Sequence, residues 1–194
     1  MIFLFQFIEN HDIMYGNFVL ILNLFTERNH IMQKFNAEFY AIAKPIINHD
    51  AYILMKDIRH HNESVYEHCL DTAYISYKIS KKLGLDYVSA TRGCLLHDFY
   101  LYKFEKGKGF RFFTKPLIHA KNHPLVALKN ALEHFELNHK EQNIIKSHMF
   151  PVGMPKSREA WVVTFVDKFL AVYEYGLRAI NATFEKYKLL VNNV

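Results

Sequence analysis

The segment from Trp161 to Leu170 is mostly apolar, yet Asp167 stands inside it between Val166 and Phe169. Burying a carboxylate among such neighbours is costly unless it is paired or bound to a cation. His97-Asp98 poses the same problem, because it directly follows Cys94-Leu95-Leu96. A chain with two such acids must fold so that positively charged or metal-binding partners reach both. Twelve histidines among 194 residues could supply them. The question is which of the twelve are organised.

The framework that would organise them reads as all-α. Seven glycines and five prolines are too few for a collagen-like, low-complexity or turn-rich all-β chain. Charged residues make up 22%, near the globular norm, which argues against wholesale disorder. Residues 33–44 predict a helix ending before Pro45. Asn62 or Ser64 caps a long helix through Leu83, with Gly84 closing it. Its apolar stripe is Val65, Cys69, Ala73, Tyr77 and Ser80, at helical spacing. A second helix covers 86–98, with Val88, Thr91, Cys94 and Leu95 inward. Gly107 and Gly109 break the pattern in 99–121, which reads as a loop or small hairpin. His123-Pro124 opens a helix to Phe135, since proline is favourable at a first helical position. Asn138 with Glu141 forms a capping box for a short helix ending at His148. After the break at 150–155, Ser157 caps an apolar helix to Tyr175, closed by Gly176. A final helix covers 177–190. Residues 1–31 read as an N-terminal extension and 32–194 as one domain.

Several classes fall away on simple counts. Cys69 and Cys94 are the only cysteines, which excludes a disulfide scaffold or a four-cysteine zinc site and fits a reducing cytoplasm. Neither has the neighbours of an activated nucleophile. The longest apolar runs, Ile2–Phe5 and Phe18–Leu22, fall far short of the ~20 residues of a membrane-spanning helix. No basic stretch or cleavage site marks a signal peptide. The net charge of +5 allows an anionic partner. No helix carries a continuous basic stripe with interleaved aromatics, which disfavours nucleic acid. A homodimer is compatible with the apolar N-terminus, although nothing specifies its symmetry.

The order of the histidines and acids is more specific: His68, His97-Asp98, His123, His148, then Asp167. The flanking strings are Val65-Tyr66-Glu67-His68-Cys69-Leu70, Gly93-Cys94-Leu95-Leu96-His97-Asp98 and Val166-Asp167-Lys168-Phe169-Leu170-Ala171. Over about residues 60–176 this resembles the HD-domain superfamily of metal-dependent phosphohydrolases. The resemblance implies a compact HD-domain helical bundle, with a small hairpin or loop insertion near 103–115. It also implies that His68, His97, Asp98 and Asp167 hold one metal. His123 and His148 stand where two-metal members carry extra ligands, with Asp98 bridging. Otherwise His123 is a helix cap and His148 a partner of a helix C-terminus. Imidazole and carboxylate donors suit Fe, Mn, Zn, Ni or Mg, one or two ions per chain. His11, His30, His49, His119, His134 and His139 lack organised partners and read as surface or locally bonded residues.

The implied activity is hydrolysis of a phosphate ester or anhydride of a nucleotide-like small molecule. Asp98 and Glu63 are the candidate catalytic residues. Glu63-Ser64-Val65 with Arg59 ahead of it is similar to a string of the nucleotidase branch. Lys103, Arg111 and Lys115, in a basic stretch between two candidate ligands, could bind the phosphate, as could Arg59 and His61. That stretch is equally readable as a solvated loop. Leu101 replaces the lysine of the cyclic-di-nucleotide phosphodiesterases, and no Gly-Tyr-Pro occurs, so that branch is disfavoured. Two alternatives keep the same site: a di-iron oxygenase, and a non-catalytic metal- or nucleotide-binding regulatory module.

Overall fold

Ser64 decides where the first site-bearing helix begins. Its hydroxyl accepts the Glu67 N–H, while the Glu67 carboxylate accepts the Ser64 N–H at 2.9 Å. Two backbone donors that the helix cannot satisfy internally are thereby used. Of the two capping residues considered from sequence, Ser64 is the one at the cap. The computed structural model describes residues 35–60, 63–102 and 111–191; at 59, 60, 63, 111–117, 174, 175 and 177–191 it describes the backbone alone. The chain divides into two units, Met1–Asn36 and Ala37–Val194, and the second carries every element below. The expected extension, 1–31, lies outside the described residues.

The fold is all-α. Its helices are α1 (Ala37–Ile47), α2 (Asp50–Ile53), α3 (Val65–Lys82), α4 (Tyr87–Leu95), α5 (Arg111–His134), α6 (His139–Ser147) and α7 (Arg158–Val191). A 3-10 turn covers Leu54–Asp57, and two short strands, β1 (Arg59–His60) and β2 (Glu63–Ser64), precede α3. They pair antiparallel, with Arg59 opposite Ser64 and His60 opposite Glu63.

The α3 stripe Val65, Cys69, Ala73, Tyr77 and Ser80 is buried throughout, and α3 packs against α4 and α7. Gly84, at φ +62°, ends this helical region in the left-handed conformation that glycine accepts at least cost. Asp86 accepts the Ser89 N–H and starts α4. Thr91, Cys94 and Leu95 face inward as expected, but Val88 is 41% exposed. Ser89 and Ala90 take the buried positions of the first turn instead. Their small side chains suit close packing. The Tyr52 hydroxyl donates to the Leu95 carbonyl at 2.8 Å, satisfying a buried group just ahead of His97. Arg92 ties α4 to the next layer through the Glu141 carboxylate (2.7 Å) and the Glu136 carbonyl (2.8 Å). Asn138 and Glu141 form the expected capping box of α6, and Ser157 accepts the Ala160 N–H at the start of α7.

Several boundaries differ from the sequence reading; α4 stops at Leu95 and not at 98, so His97-Asp98 lie beyond its end. The first helix passes through Pro45 to Ile47, because burying Ile46 and Ile47 offsets one lost hydrogen bond. The expected loop at 99–121 is helical from Arg111 onward, so His123 lies inside α5 and does not open it. The spacing His119, His123, Ala127, Ala131 runs unbroken through Pro124, and the last three are buried. One absent N–H does not outweigh that face. Of the expected insertion, 103–110 lies outside the described residues and 111–115 is helix. Gly176 does not stop the last helix either; α7 is continuous to Val191. A helical glycine costs only about 1 kcal/mol relative to alanine.

The α4–α6 contact positions both candidate ligands that follow these helices, His97 and His148. It depends on Gly93, where an added Cβ would lie 3.0 Å from Ile144 Cβ and Cδ1. We expect Gly93→Ala to cost ~1–3 kcal/mol by overpacking, with part recovered in Gly93→Ala/Ile144→Val. Urea denaturation of the single and double variants measures both effects.

Candidate metal centre

Five segments each bring at least one donor to the same place. His68 comes from the first turn of α3, and His97-Asp98 follow the end of α4. His123 lies in α5, His148 caps the end of α6, and Asp167 lies in α7. All six are buried, none more than 7% exposed.

They form two groups that share Asp98. His68, His97 and Asp98 offer donor atoms within 4.8 Å of one another, and so do Asp98, His123 and His148. Asp167 joins the first group: its Oδ1 lies 3.1 Å from His68 Nε2 and 3.7 Å from His97 Nε2. Asp98 Oδ2 is 3.8 Å from His97 Nε2. Asp98 Oδ1 is 3.2 Å from His123 Nε2 and 3.4 Å from His148 Nε2.

The backbone sets the imidazole tautomers. His97 Nδ1–H donates to the Cys94 carbonyl (2.6 Å), His123 Nδ1–H to the His119 carbonyl (2.8 Å) and His148 Nδ1–H to the Ile145 carbonyl (2.8 Å). In each ring the Nε2 atom then faces inward, towards Asp98 or Asp167. His123 Nε2 and His148 Nε2 are only 2.8 Å apart. Burial pushes His148 down to about 4, so it takes no second proton at neutral pH. Two imidazole nitrogens at that distance need a proton shared between them or another cation beside them. His97 Nε2 is also buried without a hydrogen-bond partner among the described residues.

Electrostatics point the same way. Burial would raise Asp98, but His97, His123 and His148 hold it well below the usual carboxylate range. Burial likewise opposes ionisation of Asp167, and His68, His97 and Lys168 overcome it. Burial alone would lower His68, yet its hydrogen bond to Asp167 and the surrounding charge raise it. Two ionised acids in a dry site thus draw positive charge inward, and a divalent cation meets the same demand. The nitrogen and oxygen donors fit such an ion. Cys69, whose thiol burial raises to about 11, stays protonated and touches His97 on its Nδ1 side at 3.8 Å. It is neither a thiolate donor nor an activated nucleophile.

The other residues singled out from sequence are less defined. His61 and Lys103 lie outside the described residues. Arg59 and Glu63 sit in the β1–β2 pair immediately ahead of α3, and Arg111 and Lys115 in the first turns of α5; only their backbones are described. His119 corrects the expectation that it lacked organised partners. Its ring stacks on His123 at 4.6 Å between centroids, and it bonds the Tyr102 hydroxyl at 3.2 Å. Its position four residues before His123 was the missed signal. A surface groove of about 370 Å³ was also missed. Lys121, Lys146 and Lys156 line it with Pro124, Leu125 and Met149. Lys121 and Lys146 each stand two residues before a candidate ligand, a proximity that the sequence did contain.

A family model described as HD domain matches residues 65–172, more than half of the chain. No curated protein and no solved structure gives a significant match. Among the described residues, no helix is long and apolar enough to cross a membrane.

Removing Asp98 takes a donor from both groups. Asp98→Ala should therefore weaken cation binding at both groups, while His123→Ala and His148→Ala should weaken it only at their own, as measured by metal content after dialysis against Mn. A second expectation concerns pH. Folded His148 holds its proton only below about 4, whereas the unfolded chain takes one near 6.5. The unfolded state thus binds more protons in this window, and His148 withdraws stability as pH falls from 6.5 towards 4. Urea denaturation of the metal-free protein should show the stability of wild type relative to His148→Gln decreasing between pH 7 and pH 5.

Proposed function

The chain belongs to the HD-domain family, and from that premise we propose that it hydrolyses a phosphate ester or anhydride of a nucleotide-like small molecule. The observation that carries this reading is Asp98, one carboxylate shared by two groups of inward-facing imidazoles. Divalent ions held there, from among Fe, Mn, Zn, Ni and Mg, would supply activated water and charge neutralisation at phosphorus.

The protein's own residues do the rest. His68, His97 and Asp167 hold one position, His123 and His148 the other, and Asp98 serves both. The Nδ1–H bonds from His97, His123 and His148 to backbone carbonyls keep their donor atoms aimed inward. Glu63, directly before the Ser64 cap, orients the attacking water or accepts its proton. Arg59, His61, Lys103, Arg111 and Lys115 meet the anionic end of the substrate. Lys121, Lys146 and Lys156 make the groove between α5 and the end of α6 positive, and a positive surface favours an anionic substrate over a neutral one.

Purified full-length protein assayed with nucleotides and simple phosphate esters should release phosphate only with a divalent ion present. In H₂¹⁸O the label should enter the phosphate product. Asp98→Ala should lower kcat by more than about a hundredfold, because even groups behind a metal ligand are worth ~10–100-fold. Glu63→Gln should lower kcat by about a hundredfold with metal content unchanged. Oxygen-dependent turnover of a non-phosphorylated substrate would replace this reading with oxygenase chemistry. Tight nucleotide binding without turnover under any metal would replace it with a regulatory module.

A further inference from the structure

Lys168 follows Asp167 directly, and on a helix adjacent side chains leave about 100° apart. Its ammonium nevertheless turns back to the centre, with Nζ 2.8 Å from Asp167 Oδ2. Met149 Sδ, one residue beyond His148, lies 2.8 Å from the same Nζ on another side. Thioether sulfur is a weak acceptor and neutralises nothing. Asp167 is the only anionic partner of Lys168 among the described residues.

The two oxygens of Asp167 are therefore unequal. Oδ1 faces His68 and His97, whereas Oδ2 is held by the ammonium. An unrestrained carboxylate can offer both oxygens to one cation. From this geometry we propose that Lys168 is a positioning residue that restricts Asp167 to a single metal-facing oxygen and, by its own charge, weakens cation binding at the His68–His97 position. One coordination place is thereby left for water or substrate. Lys168 gives up affinity for access, and the inference rests on the metal-site reading above.

The sign of the effect distinguishes this role from a scaffolding one. If Lys168 merely pulled Asp167 into place, its loss would weaken cation binding. Under the proposal, removing one positive charge and freeing Oδ2 strengthens it. Metal-free full-length protein is titrated with Mn²⁺, and free Mn²⁺ is followed by electron paramagnetic resonance. Lys168→Met should bind the tighter ion about tenfold more strongly than wild type. Lys168→Arg, which keeps the charge and the donor, should stay within about twofold of wild type. Circular dichroism checks folding, and Lys168→Gln replaces the methionine variant if that one unfolds. Unchanged or weaker Mn²⁺ binding by the folded neutral variant overturns the proposal. The underlying metal site is judged separately: it fails, and the proposal with it, if wild type binds no Mn²⁺ or if Asp98→Ala binds as wild type does.

Discussion

The structure turns on the charge balance around Asp98. One carboxylate, almost wholly buried, sits within 3.8 Å of three imidazole nitrogens. Such an arrangement is costly without compensating positive charge. The acid draws its histidines together, and each histidine is held by a backbone carbonyl on its far side or, for His68, by Asp167. The centre is a polar core inside an apolar one, and the packing of α3, α4, α5, α6 and α7 serves to close it.

The secondary structure supports this by placing chain ends with care. His97-Asp98 and His148 lie just past helix termini, where the backbone changes direction and side chains can converge. Tyr52 secures the end of α4 through the Leu95 carbonyl, and Arg92 ties α4 to the start of α6. Gly153 lets the chain after His148 fold back closely: a Cβ there would stand 2.8 Å from the Lys146 carbonyl. That return brings Met149 to Lys168, so the segment following one group touches the residue following the acid of the other.

Much of this was legible residue by residue. The capping boxes at Ser64 and Asn138, the α3 stripe and the stop at Gly84 follow from short-range chemistry, and the structure has them where that chemistry puts them. The errors also share a cause. Pro45, Pro124 and Gly176 each read as helix boundaries, since each weakens a helix locally. In the fold all three lie within helices: at Pro45 and Pro124 a buried face, Ile46-Ile47 or Ala127-Ala131, outweighs one missing hydrogen bond, and at Gly176 the local cost is only about 1 kcal/mol. The His119–His123 stack follows from i, i+4 spacing within one helix, whereas the bond of His119 to Tyr102 and the contact of Lys168 with Met149 exist only once separate segments are packed together.

The sequence by itself determined the all-α class, the helix caps and the ordered set His68, His97-Asp98, His123, His148 and Asp167. These depend on period, local hydrogen bonding and the cost of burying charge, all of which are written along the chain. Only the tertiary structure decided that Asp98 stands between two groups, that the Nε2 atoms of His123 and His148 meet at 2.8 Å, and that Lys168 takes one oxygen of Asp167. Those are distances between atoms from different helices, or a side chain turned against its own helical phase. They are set by packing, which no spacing along the chain encodes.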